Sequence, residues 1–273
     1  MKLWNTNPAH GIRLTGGKGS ALYDDQGRTY IDMFSGTWCN VLGYGHPRLR
    51  RAVEEQAQGL FQTGAAFGTR QVEEGLRQLA SILPPELERA VFLNSGSEAV
   101  ELALKMAHAA TGKTGVVVAE KGYYGGTVYA LSLSEAGRTA SYLPKAGNVL
   151  RVAAPHCVRC DLSAECGDGE FPCMNVLEDL SPEEWPAAIL YEPLLGGGIL
   201  VPPIGYGARL KEFARSLGAL FISEEVTTGM GRTGKWFGFQ HENIVPDILV
   251  VGKAIGGGLP VSAVVTTKEV EER

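Results

Sequence analysis

The stretch Ala219–Pro260, ALFISEEVTTGMGRTGKWFGFQHENIVPDILVVGKAIGGGLP, decides how the chain is read. Two short apolar runs bracket it, Ala219 to Ile222 and Ile248 to Val251. Their aliphatic, partly β-branched make-up suits strands buried on both faces of a parallel sheet. Each run ends in polar residues: the first delivers Glu224 and Glu225, the second Lys253 followed by Gly256, Gly257 and Gly258. Ligands of open α/β sheets sit beyond the carboxyl ends of the strands. The spacing therefore predicts that a carboxylate and a lysine reach one crevice.

A lysine kept partly unprotonated forms a Schiff base with an aldehyde. A carboxylate held against a pyridine nitrogen keeps that ring protonated and electron-withdrawing. Lys253 and Glu224 together thus suggest pyridoxal phosphate (PLP) chemistry. Taken singly, each has a plainer reading, a solvated loop lysine and a surface acid. The buried character of the runs before them and the triple glycine after Lys253 weigh against it.

Working outward, Ala90 to Leu93 reads as a short strand running into NSGSEAVELALKMAHAATG. Ser95 and Glu98 have capping-box spacing, so a helix is predicted from Gly96, with Ala99, Leu102, Ala103, Met106 and Ala110 on its apolar face and Gly112 as its stop. Such a turn aims free N–H groups and the helix dipole at an anion, with Gly96 allowing close approach and Ser97 adding a hydroxyl; plain capping is the other reading. The GKT at Gly112–Thr114 is no P-loop, because Ala107 stands where the pattern needs its first glycine and a helix rather than a strand precedes it. After a strand at Val116–Ala119 comes EKGYYGGT, whose Tyr123 and Tyr124 can stack on a flat ring or sit half-buried in a loop. A strand at Ala187–Tyr191 presents Glu192, an acid facing the same crevice or pairing with a nearby base.

The motifs EEVTTGMGRTG, PDI and GKAIGGGLP resemble the signature of class III aminotransferases, of PLP fold type I. That resemblance implies an α/β fold with a mostly parallel sheet, helices on both faces and an N-terminal β-segment belonging to a small domain. It divides the chain into residues 1–60, the small-domain segment, and 61–273, a large PLP-binding domain incomplete at its C-terminus. It makes Lys253 the Schiff-base lysine and Glu224 the partner of the pyridine nitrogen. It places Gly96 and Ser97 at the phosphate, and Tyr123 and Val226 on the two ring faces. Trp38, by composition a loop anchor, becomes a wall of the substrate pocket, and Glu192 approaches the substrate. Three positions depart from the family pattern: Glu224 for aspartate, Tyr124 for histidine and Leu195 for a polar residue.

The implied reaction moves an amino group from an amino acid or ω-amine donor to an oxoacid acceptor, in a homodimer with the site at its interface. A PLP-dependent aminomutase, racemase or decarboxylase would share every one of these parts. Class III members continue past the position of Arg273 into a C-terminal domain, so a non-catalytic truncated homologue is a further reading.

The rest of the chain agrees with a cofactor-binding α/β protein. Net charge is −5 and 44% of residues are hydrophobic. No basic footprint points to nucleic acid or membrane, and no apolar run suggests a span or signal peptide, so a cytoplasmic location is expected. Five cysteines argue against a disulfide framework. Cys157 and Cys160 have the spacing of a metal knuckle, and Cys166 and Cys173 follow; a reduced loop without metal is the favoured reading. Leu14–Tyr23 and Thr29–Met33 flank a turn, DDQGR. Arg48–Leu60 and Gln71–Leu83 have helical periodicity, as does Tyr206–Leu217. Residues 134–175 read as an irregular insertion. His46 and His241 are assigned no function, Glu225 a structural pairing, and Arg232 a loop-holding role.

Overall fold

The computed structural model describes residues 11–61, 63–64, 66–135, 142–144, 146–160, 166 and 170–273. The chain divides into two compact units, Met1–Gly68 and Thr69–Arg273.

In the first unit, β1 (Leu14–Lys18), β2 (Ala21–Asp24) and β3 (Thr29–Ile31) form an antiparallel meander. The turn before β3 is held by Asp24, whose Oδ1 accepts the N–H groups of Gln26 (2.9 Å) and Arg28 (2.8 Å). Its Oδ2 accepts Arg28 Nε (2.7 Å) and the Tyr30 hydroxyl (2.8 Å). Ser35, Gly36, Thr37 and Trp38 then form a left-handed turn, with φ of 53°, 58°, 61° and 65°. Three of these four residues carry a Cβ and pay for that conformation. Asp32 Oδ1 steadies the turn by accepting the N–H groups of Phe34 (2.8 Å) and Ser35 (2.9 Å). A helix follows at Pro47–Ala57.

In the second unit, a helix at Arg70–Ala80 precedes β4 (Arg89–Leu93) and the long helix Gly96–Thr111. Then come β5 (Val116–Ala119), β6 (Val149–Val152), β7 (Ala188–Tyr191), the helix Tyr206–Ser216, β8 (Leu220–Glu225), β9 (Ile248–Val251) and β10 (Ser262–Thr266). The sheet order is β4-β10-β9-β8-β7-β5-β6. From β9 to β6 every neighbouring pair is parallel. β10 runs antiparallel to both β9 and β4. The short connection after Val251 leaves no room for a crossover helix, so the chain must turn back.

The helix Gly96–Thr111 lies on the face built by Ile222, Ile248, Val250 and Val264, and the helix Tyr206–Ser216 on the face of Ile189, Tyr191 and Phe221. Three expectations are corrected here. The buried stripe of Gly96–Thr111 is Ala99, Val100, Ala103, Leu104 and Ala107, while Leu102, Met106 and Ala110 are half-buried on its flank. Alanines at i, i+4 and i+8 let the helix approach the sheet, and the larger residues fall to the side. Residues 134–175 contain a sheet strand, β6, hidden in the sequence by Arg151 in its middle. That arginine donates to the carbonyls of Leu133 (2.7 Å) and Ser132 (3.0 Å) instead of facing solvent. Finally, β8 extends past Ile222 through Glu225, so both glutamates are strand residues and fully enclosed.

Candidate active site

β4, β5, β7, β8 and β9 all point their carboxyl ends to one edge of the sheet, which gathers the polar residues that follow them. β8 and β9 pair as Ile222↔Ile248, Ser223↔Leu249, Glu224↔Val250 and Glu225↔Val251. The two chains stay in side-chain contact just beyond the strand ends. Val226 stands against Gly252, where an added Cβ would lie 3.1 Å from Val226 Cγ1. Thr227 stands beside Lys253, whose Nζ donates to Thr227 Oγ1 at 2.8 Å. Lys253 is half-buried, and its φ of 45° turns the side chain at the start of a 3-10 turn, Lys253–Gly256.

Val226 also closes on the turn after β4. A Cβ on Gly96 would lie 2.9 Å from Val226 Cγ1 and 3.0 Å from Cγ2, so only glycine fits. Ser95 caps the helix there: its Oγ accepts the Glu98 N–H (3.3 Å) and donates to Glu98 Oε2 (2.8 Å). The N–H groups of Gly96 and Ser97, first in the helix, have no intrahelical acceptor. Ser97 Oγ accepts the Gly126 N–H at 2.9 Å, tying this turn to the loop after β5.

Two buried carboxyls face Lys253 electrostatically. Burial holds Glu224 well above the usual carboxyl range; the Glu192 charge adds to the effect and Lys253 opposes it. Glu224 Oε1 accepts the Val226 N–H at 3.2 Å. Burial pushes Glu192 up to about 7, against the pull of the Gly196 and Tyr123 N–H groups and of Lys253. Glu192 Oε1 accepts from Tyr123 N (2.9 Å) and Oε2 from Gly196 N (3.0 Å), so this acid pins two loops together.

Tyr123 is half exposed at this edge, whereas Tyr124 turns into the core and its hydroxyl accepts the Ala119 N–H at 3.2 Å. The two tyrosines of the loop thus part. Leu195 is buried. Glu225 points to the other side of β8 and accepts from Gly238 N (2.7 Å), Phe239 N (2.8 Å) and the hydroxyl of Thr228 (2.5 Å). Its partners are N–H and hydroxyl donors rather than an opposite charge. Arg232 is exposed, and His241 Nε2 meets Thr233 Oγ1 at 3.0 Å in the same loop. Trp38 belongs to the first unit, half-buried in its left-handed turn.

The cysteines at 157, 160, 166 and 173 are half-buried. Burial, with the neighbouring thiols of Cys166, Cys160 and Cys157, pushes the Cys173 thiol up to about 11. No group of three or more His, Cys, Asp or Glu among the described residues is placed to hold a metal ion. A cavity of about 490 Å³ opens at the opposite edge of the sheet, between Lys113, Asn148 and Trp185. Its lysine is already engaged, donating to the carbonyls of Leu217 (2.7 Å) and Gly218 (3.0 Å). It assembles no reactive set comparable with that around Lys253.

A lysine, buried acids and an anion-ready helix start at one sheet edge define a PLP-type site. The chain belongs to the class-III aminotransferase family, whose profile matches residues 4–273. PLP is the cofactor of that family. Among curated relatives, an acetylornithine aminotransferase from Methanopyrus kandleri is 35% identical over 269 residues, covering 98% of this chain and 65% of the relative. A putative [LysW]-aminoadipate semialdehyde/glutamate semialdehyde transaminase from Aeropyrum pernix is 38% identical, covering 95% of this chain and 63% of the relative. Among solved structures, an amine transaminase from an uncultivated Pseudomonas species, in a PLP-bound form, superposes with a TM-score of 0.90 at 27% identity, covering 100% of this chain and 66% of that one. This chain spans less than two thirds of the length of these curated relatives.

The residues present fit the cofactor. Gly96 leaves bare backbone where a side chain would collide with Val226, and the helix start favours a phosphate. Glu224 is a buried acid of the kind that suits a pyridine nitrogen, and Lys253 is a half-buried amine of the kind that suits an aldehyde. Thr227 carries no motif signal of its own in the sequence; its contact with Lys253, 26 residues on, is tertiary.

No helix among the described residues is long and apolar enough to cross a membrane.

Proposed function

We propose that this chain forms the PLP-binding part of an aminotransferase that moves an amino group from an amino acid or ω-amine to an oxoacid. The observation that carries it is the convergence of Lys253, Glu224 and the Gly96–Ser97 helix start, bridged by Val226. PLP, when bound, supplies an aldehyde for the substrate amine and an aromatic ring that disperses negative charge from the substrate carbon. Gly96 and Ser97 hold the phosphate through backbone N–H groups and the dipole of their helix. Glu224 holds the proton on the pyridine nitrogen; its burial strengthens that interaction by excluding water. Val226 and Tyr123 flank the ring. Lys253 Nζ would hold the cofactor through its aldehyde and would move the proton at the substrate carbon.

Glu192 keeps the loops of Tyr123 and Gly196 in place around the ring. Residues 1–60 serve as the small-domain segment and 61–273 as the cofactor domain. A homodimer completes the site, and the protein works in the cytoplasm. The names of the curated relatives direct attention to donors with a terminal amine. The test is a panel of α-amino acids and ω-amines against 2-oxoglutarate and pyruvate, with chiral and carbon dioxide readouts alongside. Formation of a new amino acid with loss of the donor amine supports transfer. Racemisation, or release of carbon dioxide without exchange, replaces it.

A further inference from the structure

We propose that Thr227 is a positioning residue for Lys253: its hydroxyl holds the lysine amine in place whenever that amine is not bonded to cofactor. The proposal rests on the PLP reading of Lys253. The contact itself is direct, Nζ donating to Oγ1 at 2.8 Å, two residues past the ends of two paired strands.

Thr227 is well fixed for such a task. Its β-branched side chain has few rotamers. The turn that carries it is anchored on Glu225, whose backbone carbonyl accepts the Gly229 N–H (2.9 Å) and whose carboxylate accepts the Thr228 hydroxyl. On its far side lies Gly196, where a Cβ would come within 3.0 Å of Thr227 Oγ1. Gly196 is in turn held by Glu192. The hydroxyl is thus wedged between the lysine and the loop pinned by the second acid.

A hydroxyl suits this place chemically. An amine that is to move protons must be oriented without being locked as an ammonium ion. A neutral acceptor takes one N–H and leaves the lone pair of the uncharged amine available, whereas a carboxylate in direct contact would favour the charged form. Glu192 and Glu224 act on Lys253 as charges, and Thr227 adds a neutral acceptor in direct contact with its amine.

The test compares wild type with Thr227→Val, which keeps the shape and removes the hydroxyl, Thr227→Ala, which removes it without a methyl directed at Gly196, and Thr227→Ser, which restores it. Two readouts are taken by peptide mass spectrometry. The first is the pH dependence of Lys253 acetylation in the cofactor-free protein. Loss of the acceptor destabilises the ammonium form, so the apparent lysine pKa falls in the Val and Ala variants and recovers in Ser. The second is the rate at which added PLP becomes trappable on Lys253 by borohydride, read at a pH above the lysine pKa of every variant so that all present the uncharged amine. That rate drops about tenfold without the hydroxyl and recovers in Ser, the size expected for losing one hydrogen bond to an ionisable group. Wild-type values for Val and Ala in both readouts overturn the proposal. So does a loss that Ser fails to restore, which marks a packing role. Absence of PLP capture in wild type overturns the parent reading instead, and the acetylation profile then still decides whether Thr227 sets the state of the amine.

Discussion

Replacing Gly96 by alanine tests the geometry that joins the helix start to β8. At the beginning of a helix, glycine to alanine is worth up to about 1 kcal/mol in favour of alanine when nothing intervenes. Here an added Cβ meets Val226 Cγ1 at 2.9 Å and Cγ2 at 3.0 Å, inside the roughly 3.5–4.0 Å optimum for carbon contacts. Val226 cannot easily retreat, because its χ1 is restricted and its side chain packs against the core cluster that includes Ile222, Ile248 and Val250. Overpacking of this kind costs about 1–3 kcal/mol, which exceeds the propensity gain. Gly96→Ala is therefore expected to destabilise the cofactor-free protein by about 1–2 kcal/mol, measured as a lower urea midpoint with an unchanged slope. Val226→Ala removes the obstacle, so the double variant should be no less stable than Val226→Ala alone. The coupling between the two sites then falls at about 1–2 kcal/mol. A Gly96→Ala protein as stable as wild type, or strictly additive losses in the double variant, would refute the packing argument.

Glu192 gives a signed pH prediction. Its folded pKa, raised to about 7 from 4.5, means that its contribution is fully present below the unfolded value and is lost as pH rises through the folded one. Between about pH 4.5 and 7 wild type should lose about 3 kcal/mol relative to Glu192→Gln; parallel stability curves for the two proteins would contradict this. Glu225→Ala leaves the Gly238 and Phe239 N–H groups buried without an acceptor, so an unfolding free energy lower by about 3–5 kcal/mol is expected, with Glu225→Gln milder; a loss below about 1 kcal/mol would mean that water or another group replaces the carboxylate. Tyr124→Phe should cost about 1–2 kcal/mol by stranding the Ala119 N–H while leaving PLP affinity nearly unchanged, because the ring lies in the core. A large affinity loss in equilibrium titration would instead place that tyrosine at the cofactor.

Much of the fold was legible because the aliphatic runs at 116–119, 188–191 and 248–251 have few other uses in a chain of this length. The Ser95–Glu98 spacing likewise announced its helix. Two kinds of information were not local. Arg151 interrupts β6 in sequence, yet its guanidinium donates to the Ser132 and Leu133 carbonyls at the end of a short helix, Val128–Leu133. Glu224 and Glu225 look like strand-ending residues, yet β9 pairs with both of them, and Glu225 finds two of its donors, Gly238 and Phe239, more than ten residues away. The side chains of Lys253 and Glu224 could be nominated from their motif. That Glu192 spends both oxygens on loop N–H groups, or that Tyr124 leaves the crevice to Tyr123, depends on tertiary contacts that no spacing encodes.

The central claim is that the amine of residue 253, beside a buried acid and a bare helix start, is the one that takes the cofactor. Incubation with PLP, reduction with borohydride and peptide mapping measure this directly. The expected result is a single cofactor-mass adduct on the peptide containing Lys253, absent in Lys253→Ala and weakened in Glu224→Ala. An adduct on another lysine, such as Lys113, or one that survives Lys253→Ala, would contradict it.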